Sequence, residues 1–219
     1  MSTTAYAQDF AQFLQLTDEK QVLLNEIKTN LKGSESLLDI GAGDGLLAIP
    51  LANLVAKYTA IERNPDHVAN LKAANLSVID EEFPCFVADH YDVVLLSHVI
   101  SHRTNNWQTI IQAAKNLLNP AGKIILFTYQ GESDDWNVLR KEVGLAIDTS
   151  QFQTNYEDML SCLKELGSVE VKIVITTVQS TSADQLIASL AFVASNGIPT
   201  QKKSFLAKTD QLKIILDRK

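Results

Sequence analysis

Two periods run through the apolar positions of this chain. "SLLDI" (36–40), "KYTAIE" (57–62), "LSVID" (76–80), "YDVVLLS" (91–97) and "KIILFTY" (123–129) are short apolar runs bounded by turn residues, and they predict five strands. "YDVVLLS" is apolar almost throughout, as a strand covered on both faces must be. Between these runs the spacing lengthens to that of a helix. Leu47, Leu51, Leu54 and Val55 share one side, and helices are expected over 65–74 and 106–118. Pro50 is compatible with a helix only in its first turn, where backbone N–H groups have no intrahelical partner. This alternation predicts a parallel sheet with helices on both faces.

The ends of the chain differ from its middle. "YAQDFAQFLQL" carries Tyr6, Phe10, Phe13 and Leu14 at helical spacing, and a second helix over about 18–31 follows Thr17 as its N-cap and stops at Gly33. Residues 1–33 are therefore expected to form a helical cover. Late in the chain, helices are expected over 134–147, over 154–166 (opened by a Thr154–Glu157 capping box) and over 183–195 (Ser182–Gln185). Two late strands, 169–178 and 211–217, should pair antiparallel at a sheet edge, with 179–210 inserted between them.

Composition narrows the possible partners. The 219 residues suit one domain, and the net charge of −7 argues against a surface built to neutralise nucleic-acid phosphates. The local Lys and Arg excess near the C-terminus reads as a solvated face. No run is apolar enough to cross a bilayer, and the first residues lack the pattern of a secretory signal. Cys85 and Cys162 form no CxxC, so reduced thiols in a cytoplasmic protein are expected. The four histidines show no metal-ligand spacing, and no metal is expected.

Chemistry concentrates at "LLDIGAGDGLLAIPLA" (37–52). Glycines at a strand-to-helix turn permit φ > 0 and let backbone N–H groups approach a ligand. The next strand ends in Glu62, about 20 residues after the first glycine, where an acid can hold both hydroxyls of a ribose. The alternative is a solvated carboxylate at a strand end.

The order Asp39-x-Gly41-x-Gly43-x-Gly45 departs from GxGxxG and resembles the motif of the Rossmann-like S-adenosylmethionine-dependent methyltransferases. The resemblance implies one α/β domain, 1–219, with a seven-stranded, mostly parallel sheet whose last strand is antiparallel. It implies S-adenosylmethionine as cofactor, with Asp39, Gly41, Ala42, Gly43 and Gly45 around its methionine part and Glu62, next to Arg63, on its ribose. Asp80 or a neighbour would border the adenine, and Ser97 and His98 would face the transferred methyl group. "SHVISH" (97–102) replaces the Pro-Pro motif found in methyltransferases of base amines and glutamine amides, and so looks like the small-molecule branch. "GLLAIPLA" and "AIERNP" are also similar to ribosomal RNA adenine dimethylases, against which the missing Pro-Pro motif and the acidic charge both count.

"YAQDFAQFLQLTDEKQ" further resembles the N-terminal segment of the histamine N-methyltransferase family. That resemblance implies that Tyr6 and Phe10, with Trp136, wall a substrate pocket, and that Glu19 contacts a cationic substrate. His98 stands where that family has a glutamine, and "KTDQ" (208–211) replaces an asparagine-containing turn. Each of these residues also has a plainer reading. Phe13 suits a packed core, Tyr6 suits core and lid equally, His102 suits helix packing, and Glu19 suits a first helical turn. Trp107 is a second candidate for a pocket wall, behind Trp136, which follows the fifth strand. The expected reaction is methyl transfer to a small-molecule acceptor, a nitrogen first, with His98 as proton acceptor. A methyltransferase acting on RNA or protein, an aminopropyl transferase and a non-catalytic cofactor-binding module are the alternatives.

Overall fold

The computed structural model describes residues 14–100, 104, 106–129, 150–180 and 205–217. Helix α1 (Glu19–Lys28) opens with an acid and closes with a base, complementing the helix dipole, and buries Leu23 and Ile27 one turn apart. Its N-cap is Asp18 rather than Thr17, and the Thr17 hydroxyl instead accepts the Glu19 N–H at 3.1 Å. Strand β1 (Ser36–Ile40) leads through the glycine turn to α2 (Ala48–Ala52). This helix is shorter than the apolar spacing through Val55 predicts; Pro50 lies within it, in the part that needs no intrahelical donor.

Strand β2 (Lys57–Glu62) is followed by α3 (Pro65–Ala73). There the Asn64 side chain accepts from the Asp66 N–H, and Pro65 occupies the first turn. Then come β3 (Ser77–Asp80), β4 (Tyr91–Ser97), α4 (Trp107–Asn116), β5 (Leu118–Tyr129), α5 (Ser150–Leu166), β6 (Ser168–Ser180) and β7 (Phe205–Asp217).

The strands form one seven-stranded sheet in the order β3-β2-β1-β4-β5-β7-β6. All contacts from β3 to β5 are parallel, while β7 runs antiparallel to both β5 and β6. The order reverses between β1 and β4, which opens a crevice beyond their carboxyl ends. Alternate residues of β1 feed two separate cores. Leu38 and Ile40 pack with α4 and α5 (Ile110, Ile111, Met159, Leu163), and Leu37 packs with α1 and α2 (Leu23, Ile27, Leu51).

Several boundaries differ from the sequence expectation. Helix α5 begins at Ser150, which puts Thr154 inside the helix and removes the capping box. Strands β6 and β7 extend to Ser180 and from Phe205, so their connection spans 181–204 rather than 179–210. Pairing over 13 register positions explains the extension, because each strand supplies the other's hydrogen bonds. Trp107, expected as a second pocket-wall candidate, is only 7% exposed, belongs to the α4 core face and is not among the residues that line the described cavity. The expected helices over 134–147 and 183–195, and Tyr6, Phe10, Phe13, His102 and Trp136, lie outside the described residues. Among the described residues no helix is long and apolar enough to cross a membrane, and no group of metal-ligating side chains is found.

Candidate active site

The glycine turn wraps the carboxyl end of β1. Gly41, Gly43 and Gly45 all have positive φ (72°, 64° and 98°), and a Cβ on Gly41 would lie 2.8 Å from Val99 Cγ2. The turn is tied to β2, since Gly41 N–H donates to the Ile61 carbonyl at 2.8 Å. Glu62 completes the tie. Its Oε2 accepts the Gly43 N–H at 2.8 Å, and its Oε1 accepts the Arg63 and Asn64 N–H groups at 3.0 and 2.8 Å. A carboxylate has about four acceptor positions, so these three bonds hold it in place with capacity left for a ligand.

A cavity of about 380 Å³ lies beside this carboxylate, within the usual range of ligand pockets, about 300–1,000 Å³. Ile40, Ile61, Phe83 and Ile110 give it apolar walls, while Glu62, Glu81 and Glu82 place acceptors on one side. Arg63 also borders it and donates from Nη1 to Glu82 at 2.7 Å. At the other end stand Ser97, His98 and Val99. The Ser97 Oγ is buried and has no hydrogen-bond partner among the described residues. A buried hydroxyl left in that condition is a place for a ligand or water to bond. Apolar walls for a flat ring, a fixed carboxylate for a diol and a glycine turn with close backbone fit a nucleoside-bearing cofactor.

His98 adopts φ 57°, a left-handed conformation uncommon for any residue but glycine, and its N–H donates to the Phe127 carbonyl at 3.0 Å. Strain of this kind at a strand end persists where the surroundings over-determine it, and it clusters at functional sites. Glu19 comes from α1, and its Oε1 lies 3.4 Å from His98 Nε2 and 3.3 Å from Lys20 Nζ. Glu19 is only 3% exposed. Burial pushes its carboxyl upward, but His98 first and then Lys20 outweigh burial and hold it well below the usual carboxylate range.

Three of the expected residues lie off the described cavity wall. Asp80 pairs with Lys72 at 3.6 Å, and its neighbours Glu81, Glu82 and Phe83, the other position the expectation allowed, form the wall. Asp39 is likewise not on the wall. It projects from the opposite face of β1 and accepts the Tyr58 hydroxyl at 2.7 Å. Glu19 stands behind His98 rather than on the described cavity surface. The wall after β3 was open to reasoning from position alone, since every β-strand carboxyl end on this side of the switch point faces the crevice. Lys20 carried no such signal.

Burial raises the Asp39 carboxyl from 3.8 to about 6; the Tyr58 hydrogen bond and the Lys20 charge oppose the rise, and Glu62 adds to it. A folded-state pKa above the unfolded value means that the folded protein holds the proton more tightly. The resulting penalty is absent below about pH 4 and complete above the folded value. Asp39→Asn removes that penalty while keeping an acceptor for Tyr58. It should therefore stabilise the fold by about 1–3 kcal/mol at pH 8, with the gain vanishing towards pH 4. Thermal melts of both proteins at the two pH values check this, and a gain that grows on acidification would contradict it.

A family model described as a methyltransferase domain matches residues 10–186. Among curated proteins, the ubiquinone biosynthesis O-methyltransferase of Xanthomonas axonopodis pv. citri is 34% identical over 101 residues, and the match covers 42% of each chain. The chain thus aligns with less than half the length of that relative. Two solved structures share the fold. A Thermotoga maritima protein described as a possible histamine N-methyltransferase superposes with a TM-score of 0.58 at 18% identity, covering 91% of this chain and 89% of the other. The N-methyltransferase NodS of Bradyrhizobium japonicum, solved with S-adenosylhomocysteine, gives 0.55 at 15% identity, covering 91% and 86%.

Proposed function

We propose that this chain, which belongs to the methyltransferase domain family, is an S-adenosylmethionine-dependent enzyme that methylates a nitrogen of a small-molecule acceptor. The observation that carries the cofactor reading is Glu62, a carboxylate bonded to the glycine turn at Gly43 and facing the cavity. Glu62 holds the ribose hydroxyls, and the turn at Gly41, Ala42 and Gly43 approaches the methionine part. Glu81, Glu82 and Phe83 border the adenine. When bound there, S-adenosylmethionine would supply an electrophilic methyl carbon on a positively charged sulfur.

The chain's own contribution is positioning and proton removal. Holding two reactants in line contributes up to about 7–11 kcal/mol. The apolar walls Ile40, Ile61 and Ile110 exclude water from the path. An amine with a pKa near that of Lys, about 10.4, arrives protonated at neutral pH, and His98 takes that proton. The small-molecule reading is supported by "SHVISH" at the end of β4 and by the net charge of −7.

Calorimetry should give binding of S-adenosylhomocysteine and none of NAD. Radiolabelled methyl transfer should occur to a small-molecule extract and to no RNA fraction. Binding of NAD in place of S-adenosylhomocysteine would end the cofactor reading, and transfer to RNA alone would end the small-molecule reading.

A further inference from the structure

We propose that Glu19 is a positioning residue for His98. Its buried carboxylate fixes the imidazole and balances the proton that the ring takes. This rests on the methyltransferase reading above and adds how the proton-accepting side chain of that site is held.

The geometry places the two side chains in series. His98 borders the cavity, and Glu19 lies behind it, 3.4 Å from Nε2 and almost wholly shielded from solvent. A cationic acceptor entering the cavity meets the imidazole before it meets the carboxylate. The 3.4 Å separation is that of an ion pair rather than a tight hydrogen bond, which leaves the contact able to shorten when the ring gains charge. Burying a carboxylate is costly unless it is partnered, and Lys20 at 3.3 Å provides the second partner.

Both members are fixed from outside the site. The backbone of His98 is held by its N–H bond to Phe127 on β5. Glu19 is held through its neighbour Asp18, which is clamped to β6. Asp18 N–H donates to the Thr177 carbonyl at 3.1 Å, while its carboxylate accepts the Thr177 N–H and hydroxyl, each at 2.6 Å. At the far end of α1, Lys172 of β6 pairs with Glu26 at 2.7 Å. A helix tied at both ends to an edge strand cannot slide by a turn, so Glu19 stays opposite His98.

The proton balance follows. The acceptor nitrogen first loses its proton to His98; the freed lone pair then forms the new N–C bond while the methyl's bond to sulfur breaks with its electron pair going to sulfur. The charged ring then faces the Glu19 carboxylate. Among the described residues, the other charged side chains that border this site are Lys20 on α1, beside Glu19, and Glu62, Arg63, Glu81 and Glu82 on the cavity wall.

The test uses the full chain, S-adenosylmethionine and a panel of small primary, secondary and tertiary amines. Glu19→Gln should lower kcat about 100-fold at pH 7, at the low end of general-base effects, with S-adenosylhomocysteine affinity within about twofold. The deficit should shrink at least about tenfold by pH 9.5, where more amine arrives as free base. Thr177→Val should give a smaller deficit with the same pH trend. Should Glu19→Gln fail to fold, Glu19→Asp keeps the charge, displaces it, and should show the trend. Turnover of no amine in the panel, or a Glu19→Gln deficit independent of pH, overturns the proposal. Failure of the wild-type protein to bind S-adenosylhomocysteine overturns the cofactor reading instead.

Discussion

His98→Asn should lower kcat by about 10²–10⁴, the range for loss of a general base, while the KM for the cofactor changes little. Asparagine is the informative replacement. It tolerates the left-handed backbone that His98 adopts at φ 57°, so the turn after β4 should survive. Its amide can still donate to the Glu19 carboxylate, which otherwise loses a partner it approaches at 3.4 Å. It cannot take up a proton near neutral pH. Fold and charge pairing are thus retained while proton acceptance is removed. The rate of the variant should rise steadily with pH as the amine loses its proton unaided. Single-turnover kinetics, which separate binding from chemistry, check this. A loss below about fivefold with an unchanged pH profile would leave His98 only a positioning role.

Glu62→Ala should weaken S-adenosylhomocysteine binding by about 1.5–3 kcal/mol, or about 10–150-fold, the range for hydrogen bonds to a charged group. Two losses contribute. The ribose loses its carboxylate, and the N–H groups of Gly43, Arg63 and Asn64 lose their acceptor. The second loss loosens the glycine turn itself, because Gly43 lies on β1's side of the crevice and Glu62 on β2's. Glu62→Gln separates the two. One amide oxygen can still accept from the turn, so stability should recover more than affinity does. Isothermal calorimetry with melting curves on all three proteins reads both quantities. Wild-type affinity in the alanine variant would place the ribose elsewhere.

The chain's local grammar carried most of the fold. Strand and helix alternation is written in periods of two and 3.6, and continuous apolar runs such as Tyr91–Ser97 are legible because both faces of a central parallel strand are buried. The glycine turn was legible for a local reason too. Gly41, Gly43 and Gly45 stand at three successive positive-φ positions that other side chains rarely adopt. Glu62 followed from chain direction, since the last residue of a parallel strand next to the switch point must face the crevice.

Tertiary structure decided what depends on distant partners. Sequence pattern paired the last two strands antiparallel, but their order was settled by β7 entering between β5 and β6. Asp80 looked equivalent to Glu62 as an acid ending its strand, yet Lys72 of α3 draws its carboxylate aside and leaves the wall to Glu81, Glu82 and Phe83. Glu19 reads as an ordinary first-turn acid until Asp18 meets Thr177, 159 residues away, and brings it against His98. Periodicity fixes which side of an element faces inward. It carries no information on which element lies opposite, because that depends on sheet order and helix seating, and these are set by the packing of the whole chain.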